Sequence, residues 1–242
     1  MDKLTAAPLF YIFFIYGMSF LLMSYLVMKG ALAATSSPLV AAFYLLALFG
    51  LTHGITEMTD WVRFILKTLG TGEVKPLTYL SQTFLIASFV LLMQFGTNLL
   101  TIQSSRKTVL RSIPLVLFGA FCVAVIAIGM ADILKIGLLA RYSFGFTGSV
   151  LSAIALVMSA QTMKPLGNRK LVNGLNVAAG GFACYALFGG LIVKPIAGVP
   201  IQLFRSACAV TIALSSFAVI DVYKYVKTKR EMTEVKAAAM AS

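Results

Sequence analysis

Residues 39–51 read LVAAFYLLALFGL and residues 53–63 read HGITEMTDWVR, so an unbroken apolar run passes directly into a segment rich in ionisable groups. The second segment holds the only histidine, His53, and the only tryptophan, Trp61. An apolar run without strand-like alternation predicts a helix. Continued through the polar segment, that helix puts His53, Glu57, Asp60 and Trp61 at offsets of three and four, on one face. Ionisable groups at the mouth of an apolar helix need partners, and the few other charges close to hydrophobic segments are the candidates.

The composition says what surrounds that helix. Of 242 residues, 60% are hydrophobic and 12% charged, against roughly 25% charged in an ordinary soluble domain. Several apolar stretches approach or exceed the roughly 18 to 20 residues a helix needs to cross a bilayer. None shows the alternation of a membrane barrel. The chain therefore reads as an all-α polytopic membrane protein, a seven-helix bundle over residues 1–222 followed by a cytoplasmic helical tail over 223–242. The predicted spans cover about 9–28, 39–51 with the polar segment beyond, 78–102, 113–130, 141–163 and 171–193. The seventh runs from 201 through Asp221 into the tail. Phe64 to Leu69 is expected along the interface. Ala31-Leu32-Ala33 resembles a signal-peptidase site, but the preceding apolar run exceeds the roughly 7 to 15 residues of a signal-peptide core, so the first helix is expected to be retained.

The net charge of +12 does not indicate nucleic acid, because the basic residues lie in short connections between apolar spans. Arg106, Lys107 and Arg111, then Lys164, Arg169 and Lys170, then the tail lysines fall on one side of a seven-span chain. The positive-inside rule puts that side, with the carboxyl terminus, in the cytoplasm and the amino terminus outside. Cys122, Cys184 and Cys208 stand singly in apolar segments and read as packing residues.

This topology gathers His53, Glu57, Asp60 and Trp61 at the outer mouth with Asp132, Arg141, Gln202 and Arg205, as a mixed-charge cluster able to hold a small ligand. Glu57 or Asp60 is expected to pair with Arg141 or Arg205. The plainer alternative is that these charges snorkel to the interface and that Trp61 is an interfacial anchor. One histidine cannot build a bis-histidine haem site, and Met130 would be the second ligand of a haem b. G-x-S-x-G, the P-loop pattern and H-E-x-x-H are all absent, so no metal or hydrolytic site is indicated.

Three segments, Phe49 to Glu57 (FGLTHGITE), Ala140 to Gly148 (ARYSFGFTG) and Gly198 to Arg205 (GVPIQLFR), occur in an order that resembles the multi-span sensory module at the amino terminus of bacterial membrane histidine kinases. The family pattern differs in having tryptophan where this chain has Met58 and proline where it has Thr147. The resemblance implies a two-component input module of the bacterial inner membrane, working alone, as a homodimer or within a membrane complex. It would bind a small ligand at the outer mouth, surrounded by lipid, and pass the change through its last helix to a cytoplasmic signalling partner or output domain. The residues present offer no nucleotide-binding pattern, so no enzyme activity is expected of them. The alternative is a haem-, quinone- or proton-handling subunit of an electron-transfer or transport complex.

Overall fold

A computed structural model describes residues 3–32, 38–72, 74–129 and 132–217. The predicted tail and Met130 lie outside the described residues. Seven apolar helices order the rest: α1 Lys3–Leu32, α2 Pro38–Thr68, α3 Lys75–Gln103, α4 Lys107–Ile128, α5 Ile133–Met163, α6 Arg169–Leu191 and α7 Ile201–Phe217. The first six are long and apolar enough to cross a bilayer, and the described part of α7 is a shorter apolar helix. Among the described residues there is no strand, and the chain is a multi-pass helical membrane protein.

Two boundaries differ from expectation, each for a local reason. The second span continues through the polar segment, as expected, but as one helix of 31 residues it also takes Phe64 to Thr68 with it, where a separate interfacial segment was expected. It ends only before Gly70 and Gly72, whose positive φ angles of 81° and 78° break the helix. Likewise α5 starts at Ile133, two turns before Arg141. Asp132 caps it, accepting the Lys135 backbone N–H at 3.1 Å and the Lys135 ammonium at 2.9 Å. Arg141 is thereby moved from the helix opening into its interior.

Those hydrogen bonds from Lys135, with its charge, hold the Asp132 carboxyl below the usual carboxylate range. A depressed folded value means the contribution is present above about pH 4 and is lost as pH falls through the folded value. Accordingly Asp132→Ala is expected to lower the melting temperature at pH 7 and to have little effect at pH 2. Asp132→Asn, which keeps a cap acceptor, should perturb less. Calorimetry of both variants at the two pH values checks this.

Packing follows chain order. Gly17 lies against Met58, Gly54 against Leu21 and Gly50 against Phe20 and Met23, so α1 and α2 are antiparallel. His53 meets Ser88 and Asp60 meets Ser81, making α2 and α3 antiparallel as well. By contrast α3 and α5 run parallel, with Phe89 beside Gly145, Met93 beside Gly148 and Gly96 beside Ser152. Gly148 and Ser152, four residues apart, form the small-residue seam that lets these two backbones approach. A Cβ at Gly148 would fall 2.8 Å from the Met93 nitrogen and 3.0 Å from its Cα, atoms that no side-chain rotation can remove. Gly148→Val is expected to cost about 1 to 3 kcal/mol by forcing the helices apart, measurable as a lower melting temperature in detergent. An alanine-like small loss would show the seam to be looser.

Helix α6 returns antiparallel beside α5, and α7 beside α6 through Gly181 and Ile212 and the stacked rings of Phe188 and Phe204. Peripheral α4 touches the bundle through Phe121 and Phe118 on Phe144. It exposes Leu115, Val123 and Ile126 on its outer faces, as a lipid-facing helix does.

A candidate ligand cavity above a buried histidine network

At the end of the bundle that carries the start of α1, helices α1, α2, α5 and α7 and the α2–α3 connection enclose a cavity of about 440 Å³. Its polar wall is Glu57, Asp60, Arg63, Lys67, Arg141, Gln202 and Arg205, and its apolar wall includes Phe13, Phe64, Leu66 and Val74. Five of the eight residues singled out in the sequence therefore share one space: Glu57, Asp60, Arg141, Gln202 and Arg205.

The other three do not line it. Asp132 is half-exposed and engaged with Lys135. Trp61 packs its ring on Phe10 and Phe14, with centroids 5.1 and 5.3 Å apart. His53 lies one turn deeper and is fully buried.

The expected ion pair does not form. Among the described residues, the basic groups within 4 Å of these carboxylates are His53 for Glu57, Arg63 for Asp60 and Lys135 for Asp132. Both guanidinium groups bind carbonyls at the end of α6 instead. Arg205 Nε donates to Phe188 O at 2.6 Å and its Nη2 to Ile192 O at 2.9 Å, while Arg141 Nη1 donates to Gly189 O at 3.3 Å. Those acceptors exist because residues Ala186–Leu191 form a wide π turn, closed by Ile192 N–H on Leu187 O, at a helix terminus where carbonyls lack amide partners. A second π turn, Arg141–Gly145, carries Arg141 itself. Cations at a helix carboxyl end are also favoured by the helix dipole.

Arg141 connects cavity and core, since its guanidinium stands 5.7 Å from the centre of the Phe89 ring. Phe89 in turn flanks His53, together with Phe20 and Phe49, at centroid distances of 5.3, 4.6 and 5.3 Å. The hydrogen bonds around His53 define its proton. Ser88 spends its hydroxyl proton on Leu85 O at 2.7 Å, so at 2.8 Å its oxygen accepts from His53 Nδ1. Nε2 is then the acceptor for the Tyr185 hydroxyl at 2.7 Å, and Tyr16 donates to Tyr185 at 2.8 Å. Glu57 Oε1 stands 3.4 Å from the same Nε2. One network thus ties α1, α2, α3 and α6 together directly beneath the cavity floor.

Haem does not fit this histidine. Both ring nitrogens are held at hydrogen-bond distance by Ser88 and Tyr185, and three phenylalanine rings enclose the imidazole, so no porphyrin face can reach it. Among the described residues no cluster of histidine, cysteine and carboxylates could hold a metal ion.

Tyr16, Tyr185 and Ser88 were not foreseen, because single hydroxyls within apolar runs read as ordinary core. Their only sequence signal is a hydroxyl set in an otherwise apolar run.

No protein-family model matches the chain, and no curated protein or solved structure is significantly similar to it.

Proposed function

We propose that the chain is a membrane-embedded sensory module of a bacterial signalling system, with its amino-terminal end outside the inner membrane. A small ligand in the cavity would alter the packing of α5, α6 and α7, and α7 would carry the change to a cytoplasmic partner. The observation that supports this reading is that the cavity is a dead end. Its lining comes from one end of the bundle, and beneath it Tyr16, Phe20, Phe49, His53, Phe89, Phe182 and Tyr185 are almost completely buried. A transporter or channel needs a path past that plug, whereas a receptor needs only a site coupled to helices that can move.

The buried network supports a second reading, proton handling. Its chain of donors ends at Leu85 O, however, a backbone carbonyl that has no proton to pass on. Proteoliposomes decide between the two. Spin labels at Leu138 on α5 and Leu203 on α7 are expected to change separation when low-molecular-mass growth-medium fractions that raise thermal stability are added. The same vesicles should pass no protons beyond the leak of empty vesicles. Flux above that of empty vesicles, with a fixed label distance, would instead establish transport.

A further inference from the structure

Each guanidinium carries five N–H donors. Arg205 commits two of them and Arg141 one, all to carbonyls, which satisfy hydrogen bonds but carry no full negative charge. Arg205 is only 6% exposed. Of the two carboxylates that line the cavity among the described residues, Asp60 accepts at Oδ1 from Arg63 and from Ser81, both at 2.7 Å, and Glu57 has its nearest basic group in His53, at 3.4 Å, rather than in either arginine. Among the described residues, the cavity is lined by four cationic side chains, Arg63, Lys67, Arg141 and Arg205, and by two acidic ones. Two arginines held side by side in a partly apolar space, with no carboxylate within 4 Å among the described residues, are completed by an incoming oxyanion.

We infer that the cavity takes a small organic carboxylate of one or two negative charges, its oxyanion held by Arg141 and Arg205 and its short apolar body against Phe13 and Phe64. This rests on the ligand-binding reading above and specifies the ligand. The volume of about 440 Å³ falls in the range of roughly 300 to 1,000 Å³ typical of small-molecule sites. Inorganic phosphate would leave the apolar wall uncovered. An anionic lipid headgroup offers the same oxyanion chemistry from another source.

The test uses the full chain in nanodiscs of zwitterionic lipid, with Trp61 fluorescence and thermal stability as readouts. Butyrate and succinate are titrated beside butyramide, succinamide and inorganic phosphate. The expected result is a saturable response to butyrate or succinate and none to the amides. Arg141→Gln and Arg205→Lys should weaken it by about tenfold or more, and Lys135→Gln, at an exposed site outside the cavity, should leave it unchanged. Arg141, with a single carbonyl bond, keeps the test open should the Arg205 variant fold poorly.

Equal binding of amides, indifference to both arginine variants, tighter binding of phosphate than of either carboxylate, or no saturable response would each overturn the assignment. So would a response supplied by phosphatidylglycerol nanodiscs without added carboxylate, which would name a lipid headgroup as the source. Failure of the sensory reading looks different: carboxylate binds, but the distance between Leu138 and Leu203 labels does not change.

Discussion

His53→Ala is expected to destabilise the bundle by about 3 to 5 kcal/mol, the cost of a cavity together with buried polar groups left without partners. The imidazole is fully buried, so alanine would leave a void among Phe20, Phe49 and Phe89. It would also deprive Ser88 and Tyr185 of the bonds at 2.8 and 2.7 Å that now satisfy them. Tyr185→Phe isolates the polar part of that loss. It retains the ring and removes one hydroxyl, for an expected cost of about 1 kcal/mol. Unfolding followed through Trp61 fluorescence in detergent compares the two. A loss below that of Tyr185→Phe for the alanine variant would show that His53 is not the keystone of this layer.

Arg205→Ala should be the second largest change, about 2 to 4 kcal/mol, because two charge-assisted bonds to Phe188 O and Ile192 O disappear. The loss is partly offset by removing one of two neighbouring like charges. Arg141→Ala breaks a single bond of 3.3 Å and should cost less than half as much. Hydrogen exchange at the end of α6 reports the mechanism as well as the magnitude. Faster exchange confined to residues after Tyr185 is expected, and uniform destabilisation of all helices would contradict a local clamp.

The helical membrane bundle was legible because lipid leaves few choices. A backbone without water must satisfy itself, so long apolar runs without alternation become helices. Helix periodicity also put Glu57 and Asp60 on one face, and the alternation of spans brought Arg141, Gln202 and Arg205 to the same end.

What the arginines bind was not legible. Their acceptors are carbonyls freed by a π turn in α6, and side-chain periodicity reports nothing about which carbonyls a helix leaves open. Asp132 was assigned to the cluster by the alternation of spans alone, whereas the helix starts two turns before Arg141 and holds that carboxylate as its cap, paired with Lys135. The network of Tyr16, Tyr185 and Ser88 depends on three helix pairings at once, so no local pattern could announce it.

The claim that a one-ended cavity lies above a closed histidine layer is tested most directly by cysteine accessibility. In a background with Cys122, Cys184 and Cys208 replaced, Leu66→Cys places a thiol in the cavity wall and Leu92→Cys places one in the fully buried layer beyond Phe89. A small water-soluble methanethiosulfonate is applied to each face of oriented membranes. The structure predicts rapid modification at position 66 from one face only, and none at position 92 from either. Modification at position 92 at a comparable rate would show that water crosses the histidine layer, and the receptor account would give way to a conducting one.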